Sequence, residues 1–247
     1  MSFFEEFATS SKADSHLLLR LNDIELYQFS HYNYMCSGGY VVQGAIDTLA
    51  PSHVQSPVVD AMLAGLQLLQ ATESVLNLGL GCAAIERYLH TKHPAASVLT
   101  VDCSEDVIEL CKQADLLPEG CTPVVADAAE FLKQATTCFD AVFCDLAIGK
   151  KQPQILCSES FYRDCEKRMS ESAILVVNVL CQDNETLREV CLAARTVFAW
   201  TAVIDISGFD NVVMYARATA PHIDVSQCSN AQTTELKTLL SHARILP

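Results

Sequence analysis

Four short stretches of the 247-residue chain carry side chains that read as parts of one site. The run Val75-Leu-Asn-Leu-Gly-Leu-Gly-Cys-Ala-Ala-Ile-Glu-Arg passes from continuous apolar residues into a helical pattern through Gly79 and Gly81. Glycines at such a turn let a ligand approach the backbone closely at a helix N-terminus. Asp102 closes the next apolar run about 20 residues later, where an acid can accept hydrogen bonds from ribose hydroxyls. Asp127 follows in Val125-Ala-Asp-Ala, and its carboxylate, or the N–H of Ala128, can read an adenine edge. The same Asp127 is also placed to cap the helix that starts there. Asp145 ends a further run, Phe143-Cys-Asp-Leu. Ligands of open α/β sheets bind outside the carboxyl ends of the strands, so a glycine turn and three aspartates on successive strand ends converge on one crevice. The chemistry available there is nucleoside binding beside a carboxylate that can accept a proton.

Those residues need a sheet to hold them. From Ser74 onward strand and helix patterns alternate. Strands are expected at Val75 to Leu80, Val98 to Val101, Pro123 to Ala126, Ala141 to Cys144 and Ile174 to Leu180, with helices at Ala83 to His90, Glu105 to Leu116, Ala128 to Gln134, Phe161 to Met169 and Thr186 to Phe198. Asn178, near the end of its apolar strand, either faces the same crevice or ends the strand ladder. Near-unbroken apolar strands imply a parallel sheet covered on both faces. Ala202 to Ile206 and Val212 to Ala216 are separated by only Ser207-Gly-Phe-Asp-Asn, too short for a helical crossover, so this last pair should be antiparallel. Five βα units closed by an antiparallel hairpin make a Rossmann-like, seven-stranded methyltransferase-type sheet in an α/β protein. An amphipathic helix is expected over about Thr234 to Ile245.

Before the sheet, the chain reads as a small β unit. Leu17 to Leu21 and Ile24 to Phe29 flank an Asn22-Asp23 hairpin turn, Ser37-Gly-Gly marks another turn, and Tyr40 to Ile46 is a third strand. Tyr32, Tyr34 and Tyr40 stand at strand spacing, as a packed face or as an aromatic wall over a ligand. Ser56-Pro57 opens a helix through Met62, Leu63, Leu66 and Leu69. The chain thus divides into a β unit over 1–55, with too little core to fold alone, and a nucleoside-binding domain over 56–247.

Composition narrows the partners. With 30 Asp and Glu against 16 Lys and Arg, the net charge of -14 repels phosphate backbones and argues against nucleic acid. The 12 cysteines include no C-x-x-C, and several (Cys103, Cys144, Cys181) sit in or beside apolar runs as small hydrophobes. His90 and His93 have no third ligand beside them, so no metal is expected. Reduced thiols point to the cytoplasm. The N-terminus lacks the features of a signal peptide, and no apolar stretch approaches the roughly 20 residues of a membrane span.

Over roughly Gln43 to Ala218 the sequence resembles the spermidine synthase-like proteins of the class I S-adenosylmethionine-dependent methyltransferase superfamily. The resemblance rests on Gln43-Gly-Ala-Ile-Asp, the Gly79 turn with Arg87 in its helix, and Val101-Asp-Cys-Ser-Glu-Asp-Val-Ile-Glu. It continues in Ala126-Asp-Ala with Glu130-Phe131, Phe139-Asp-Ala-Val-Phe-Cys-Asp and Ser160-Phe-Tyr. It implies a thioether nucleoside donor, either decarboxylated S-adenosylmethionine or S-adenosylmethionine itself, and a small-molecule acceptor. By the same resemblance Gln43 touches the donor, Asp102 its ribose and Asp127 its adenine end, while Asp145 is the catalytic carboxylate. The donor-binding set is therefore Gln43, Gly79, Gly81, Asp102, Cys103, Asp127 and Ala128. A homodimer is compatible with the family and with the small β unit.

The chain also departs from the family pattern. Spermidine synthases carry Gly-Gly-Gly-Asp-Gly-Gly, whose Asp pairs with the donor amine; Cys82 stands there. Their second acceptor-side Asp is Ile148 here, Val58-Val-Asp-Ala-Met replaces a Tyr-x-Glu-Met stretch, and Lys150 and Lys151 lie in the loop that should cover the site. Three functions stay open at this point: an aminopropyltransferase-like enzyme with Asp145 as base, a methyltransferase, and a non-catalytic adenosyl-nucleotide-binding protein.

Overall fold

The computed structural model describes residues 3–8, 14–38, 41–147, 149, 151–181 and 183–221, with the backbone of 244–245. Two sheets organise them. The first is antiparallel and four-stranded, in the order β1 (His16–Leu21), β2 (Ile24–Phe29), β3 (Tyr32–Ser37), β4 (Val41–Asp47). The Asn22-Asp23 turn joins β1 to β2 as expected, with Asn22 in the left-handed region at φ 49°. Strand β3 is the element that the sequence pattern does not announce. The Ser30-His31 turn before it contains no Gly, Pro or Asn, although Ser30 turns at φ 54°.

Tyr32 and Tyr34 form a packed face rather than a wall over a ligand. Both are buried, with ring centroids 5.6 and 5.3 Å from Phe3 of α1 (Phe3–Ala8), a helix that the sequence pattern does not announce either. Tyr40 lies outside the described residues. The neighbouring Phe4 of α1 meets Phe209 edge-on at 5.4 Å.

The second sheet runs β12-β10-β11-β9-β8-β5-β6-β7. Its core is parallel: β5 (Ser74–Leu78) lies between β6 (Ser97–Asp102) and β8 (Phe139–Cys144), with β7 (Val124–Val125) beyond β6 and β9 (Met169–Leu180) beyond β8. β10 (Trp200–Asp205) and β11 (Asn211–Arg217) form the antiparallel hairpin, with β11 inserted against β9. The seven-stranded methyltransferase-type sheet is therefore present, with β12 (Arg244–Ile245) added at the edge. That short strand corrects the end of the helix expected over 234–245; residues 234–243 lie outside the described residues.

Strand alternation explains why these strands are apolar throughout. Val142 and Cys144 of β8 face α5 (Ala128–Gln134), α6 (Glu159–Glu166) and α7 (Asn184–Arg195) through Leu132, Phe161 and Val190. Ala141 and Phe143, one residue out of phase, face α2 (Pro57–Ala64) and α3 (Ala84–Lys92) through Met62, Leu63 and Leu89. Both faces are buried, each large side chain contributing about 1.5–3 kcal/mol. Helix α6 ends before the expected Met169, which instead begins β9 beside Phe139. Ser56 caps α2 as expected, accepting from the Val59 N–H.

One face of the small sheet closes its own aromatic cluster under α1, and the other shares the interior of the larger sheet domain. Leu26 and Met35 share a cluster with Leu80, Cys82 and Ala83 of the glycine turn and with Val107 and Ile108 of α4 (Glu105–Gln113). The β unit thus packs on the very turn that the sequence singles out.

Candidate active site

Four strand ends deliver the candidate residues side by side. Across the order β8-β5-β6-β7, Asp145 follows β8, Gly79 follows β5, Asp102 ends β6 and Asp127 lies two residues beyond β7. Three strand spacings span about 14 Å.

Gly79 is dictated by sterics. Its φ is 101°, and a Cβ there would collide with the Asp145 carbonyl oxygen. The turn and the candidate base are thus in backbone contact. Gly81 also lies at positive φ, 51°, with the Gln43 carbonyl beside it at 3.4 Å from where a Cβ would stand. Behind the turn, Asn77 donates to the Gly79 carbonyl at 2.8 Å and to Glu86 Oε1 at 2.7 Å, and Thr100 donates to the same Glu86 oxygen at 2.6 Å. Glu86 is 1% exposed, and burial pushes its carboxyl above the usual range. Arg87 is also buried and donates to the carbonyls of Pro51, Cys82 and Leu116, tying the β4–α2 link to the turn.

Asp102 is committed to the backbone on both oxygens: Oδ2 accepts the Leu80 N–H and Oδ1 the Ser104 N–H, each at 2.8 Å. Each oxygen keeps a second lone pair for a hydroxyl donor. Asp127 is the N-cap of α5, with Oδ1 accepting from Ala129 at 2.9 Å and Glu130 at 3.0 Å, so its Oδ2 is not used by the cap. Ala128 is buried at the first turn of that helix. Of the cysteines read as small hydrophobes, Cys144 is buried and Cys181 half-buried, but Cys103 is exposed beside Asp102. Every cysteine among the described residues is a free thiol.

A small, open crevice is lined by Gln43 and Gly44 of β4, Ser56, Val59, Gly79 to Cys82, and Asp145. It gathers Gln43, Gly79, Gly81 and Asp145. It does not reach Asp102, Cys103, Asp127 or Ala128, which stand along the strand ends on the other side of the turn.

Cys82 fills the floor of this crevice. It is 3% exposed, and a Cβ at Gly44 would collide with its Sγ, so strand and turn touch here. Burial pushes the Cys82 thiol up, keeping it neutral. Asp145 is half-buried; burial raises its carboxyl, the Asp102 charge raises it further, and the Asn178 amide at 2.7 Å opposes both. A carboxylate in that state is a stronger base than an exposed one. Asn178 accepts in turn from Asn211 at 2.9 Å. Asn178 does not end the strand ladder, which runs on to Leu180; its amide meets Asp145, although Asn178 is not itself among the residues lining the crevice.

Sequence reasoning missed Asn77, Glu86, Thr100 and Asn211. The available signal was a polar residue inside each apolar strand, Asn77 in β5 and Thr100 in β6. Among the described residues no group of three or more His, Cys, Asp or Glu could hold a metal ion, and no helix is long and apolar enough to cross a membrane.

No protein-family model matches the chain. Two curated relatives are polyamine aminopropyltransferases: that of Chromobacterium violaceum is 24% identical over 159 residues, 63% of this chain, and that of Neisseria meningitidis serogroup A 28% over 145 residues, 57% of this chain. The chain spans 61% and 55% of their respective lengths. Among solved structures, a probable spermidine synthase from Corynebacterium glutamicum superimposes with a TM-score of 0.73 at 20% identity, covering 90% of this chain and 86% of that one. Human methyltransferase-like protein 13, solved in complex with SAH, gives 0.60 at 18% identity over 75% of this chain and 92% of that one. At such identities the structural likeness is one of fold. The chain is thus similar in sequence to polyamine aminopropyltransferases and shares its fold with a probable spermidine synthase and a methyltransferase-like protein.

Proposed function

We propose that the chain transfers an aminopropyl group from decarboxylated S-adenosylmethionine to a small amine, with Asp145 as general base. The supporting observation is Asp145 itself. Burial raises its carboxyl, the residue lines the crevice with Gln43, and its backbone is in contact with the glycine turn. Gly79, Gly81 and Gln43 would carry the sulfonium side of the donor, Asp102 with Cys103 its ribose side, and Asp127 with Ala128 its adenine end. The crevice draws on both the β unit over 1–55 and the nucleoside-binding domain over 56–247.

The chemistry asks for alignment and a proton sink. The acceptor amine attacks the propyl carbon attached to sulfur; the N–C bond forms, the C–S bond breaks, and its electron pair stays on sulfur as the neutral thioether leaves. The proton released from nitrogen passes to Asp145. Holding amine and carbon in line supplies most of the rate, and a base with an elevated pKa adds a further factor of about 10²–10⁴.

Cys82 favours a second reading, methyl transfer from S-adenosylmethionine. A buried neutral thiol stands where the resemblance places the acid that pairs with the donor amine. Calorimetry with decarboxylated S-adenosylmethionine, methylthioadenosine, S-adenosylmethionine and S-adenosylhomocysteine separates the two. Tighter binding of the first two supports aminopropyl transfer, and tighter binding of the last two supports methyl transfer. Binding without turnover of either donor with putrescine or other amines leaves an adenosyl-binding protein, and no binding at all removes every one of these readings. Sedimentation of the purified chain tests the homodimer that accompanies this proposal.

A further inference from the structure

Asp145 is approached through a chain of two neutral amides from the antiparallel end of the sheet. Asn178 on β9 donates Nδ2 to Asp145 Oδ1 at 2.7 Å, and its own Oδ1 accepts from Asn211 Nδ2 on β11 at 2.9 Å. In the β9–β11 register Val213 lies opposite Asn178, and Asn211 stands two residues away opposite Leu180. The two asparagines are therefore diagonal neighbours on one face, within side-chain reach.

An amide has a donor end and an acceptor end. Occupation of the Asn178 oxygen by Asn211 leaves its N–H₂ as the end that faces Asp145. We infer that Asn178 and Asn211 are positioning residues that hold Asp145 Oδ1 as a hydrogen-bond acceptor and reserve Oδ2 for a substrate proton. This rests on Asp145 being the base. A neutral amide suits this role, because it orients the carboxylate and steadies its ionised form, yet lacks the full charge with which a lysine or arginine would depress the acid out of useful range. The other titratable groups facing Asp145 are Asp102, at the end of β6, and the adjoining Cys144 thiol. Asp102 accepts the Leu80 and Ser104 N–H groups on its two oxygens, and the Cys144 side chain packs away among Leu132, Phe161 and Val190.

The test reads the carboxyl directly. In the full-length protein labelled with ¹³C at aspartate carboxyls, the Asp145 resonance is identified by its loss in Asp145→Asn, and its titration midpoint is measured in wild type, Asn178→Ala and Asn211→Ala. Removing a hydrogen bond to a charged group should raise the midpoint by about 1–2 pH units in Asn178→Ala. Asn211→Ala should raise it by a smaller amount, because a freed Asn178 amide can turn its oxygen toward Asp145. A midpoint within error of wild type in Asn178→Ala overturns the inference, and so does an unmoved Asn211→Ala beside a shifted Asn178→Ala. Thermal melts of both variants identify any misfolded sample, and Asn178→Ser, which retains a short donor, should restore part of the shift. Turnover is scored separately: Asp145→Asn that still transfers the aminopropyl group to putrescine removes the base assignment, whatever the titrations show.

Discussion

Two carboxyls lie on either side of the glycine turn, and burial raises both. Glu86 sits behind it, sealed at 1% exposure, with one oxygen taking both donors, Asn77 and Thr100, and Oε2 unpartnered. Asp145 stands in front, with one oxygen on Asn178 and the crevice before it. Each is steadied by an asparagine from a strand, and Gly79 separates them, its carbonyl bonded to Asn77 and its Cα against the Asp145 backbone. The comparison teaches that desolvation alone does not make a base. Glu86 is the more buried of the two and has no route to a ligand, so it acts on the turn. Asp145 is less enclosed and lines the crevice.

The contrast breaks most sharply at Asp145. Asp145→Asn should lower aminopropyl transfer by about 10²–10⁴-fold while leaving donor affinity within calorimetric error, because the amide keeps the shape and loses the proton acceptor. The acid limb of the wild-type kcat/KM profile should fall above the ordinary carboxylate range, following the upward shift of this group. Gly79→Ala comes next, since it disturbs both sides of the turn at once: a left-handed φ of 101° and a blocked Cβ should cost about 3 kcal/mol or more in denaturant unfolding and abolish donor binding.

Asp140 sharpens the comparison from the amino end of β8, the opposite end of that strand from Asp145. Its carboxylate accepts from the Glu73 and Ser74 N–H groups and from the Ser74 and Ser170 hydroxyls, and these bonds hold it below the usual range despite partial burial. Asp140→Ala should cost about 2 kcal/mol in chemical denaturation. The sign follows from the lowered value: this stability is present above the ordinary aspartate pKa and disappears as pH falls through the folded one.

The smallest effect is expected at Glu86. Its raised pKa means that the folded state favours the protonated acid, so stability is lost as pH climbs from the ordinary glutamate value through the folded one. Glu86→Gln should therefore melt within about 1 kcal/mol of wild type at low pH and above wild type at alkaline pH. A variant less stable than wild type at every pH would place a charged, fully satisfied Glu86 behind the turn.

The sheet was legible because its signal repeats: mostly apolar strands from β5 to β9 alternate with helical patterns, and β5, β6 and β8 are each closed by a Gly or Asp at or just after the strand end. Gly79, Asp102, Asp127 and Asp145 were readable for that reason, from position along the chain alone. The β3 strand was not, since a Ser-His turn carries none of the usual markers and tyrosines at spacing two suit a ligand wall as well as a packed face. The relay through Asn178 and Asn211 depends on which strands become neighbours, and only the antiparallel insertion of β11 against β9 brings them together. The contact of Gly44 with Cys82 is equally non-local, joining two sheets.

That contact constrains what position 82 can hold. An aspartate at position 82 would need room beyond the sulfur that already touches the Gly44 backbone, and it would bring a charge into a cluster of Leu26, Met35 and Ile108. Restoring an acid at position 82 therefore requires β4 and the turn to change together, since the single substitution Cys82→Asp has neither the room nor the polar partners that a carboxylate needs.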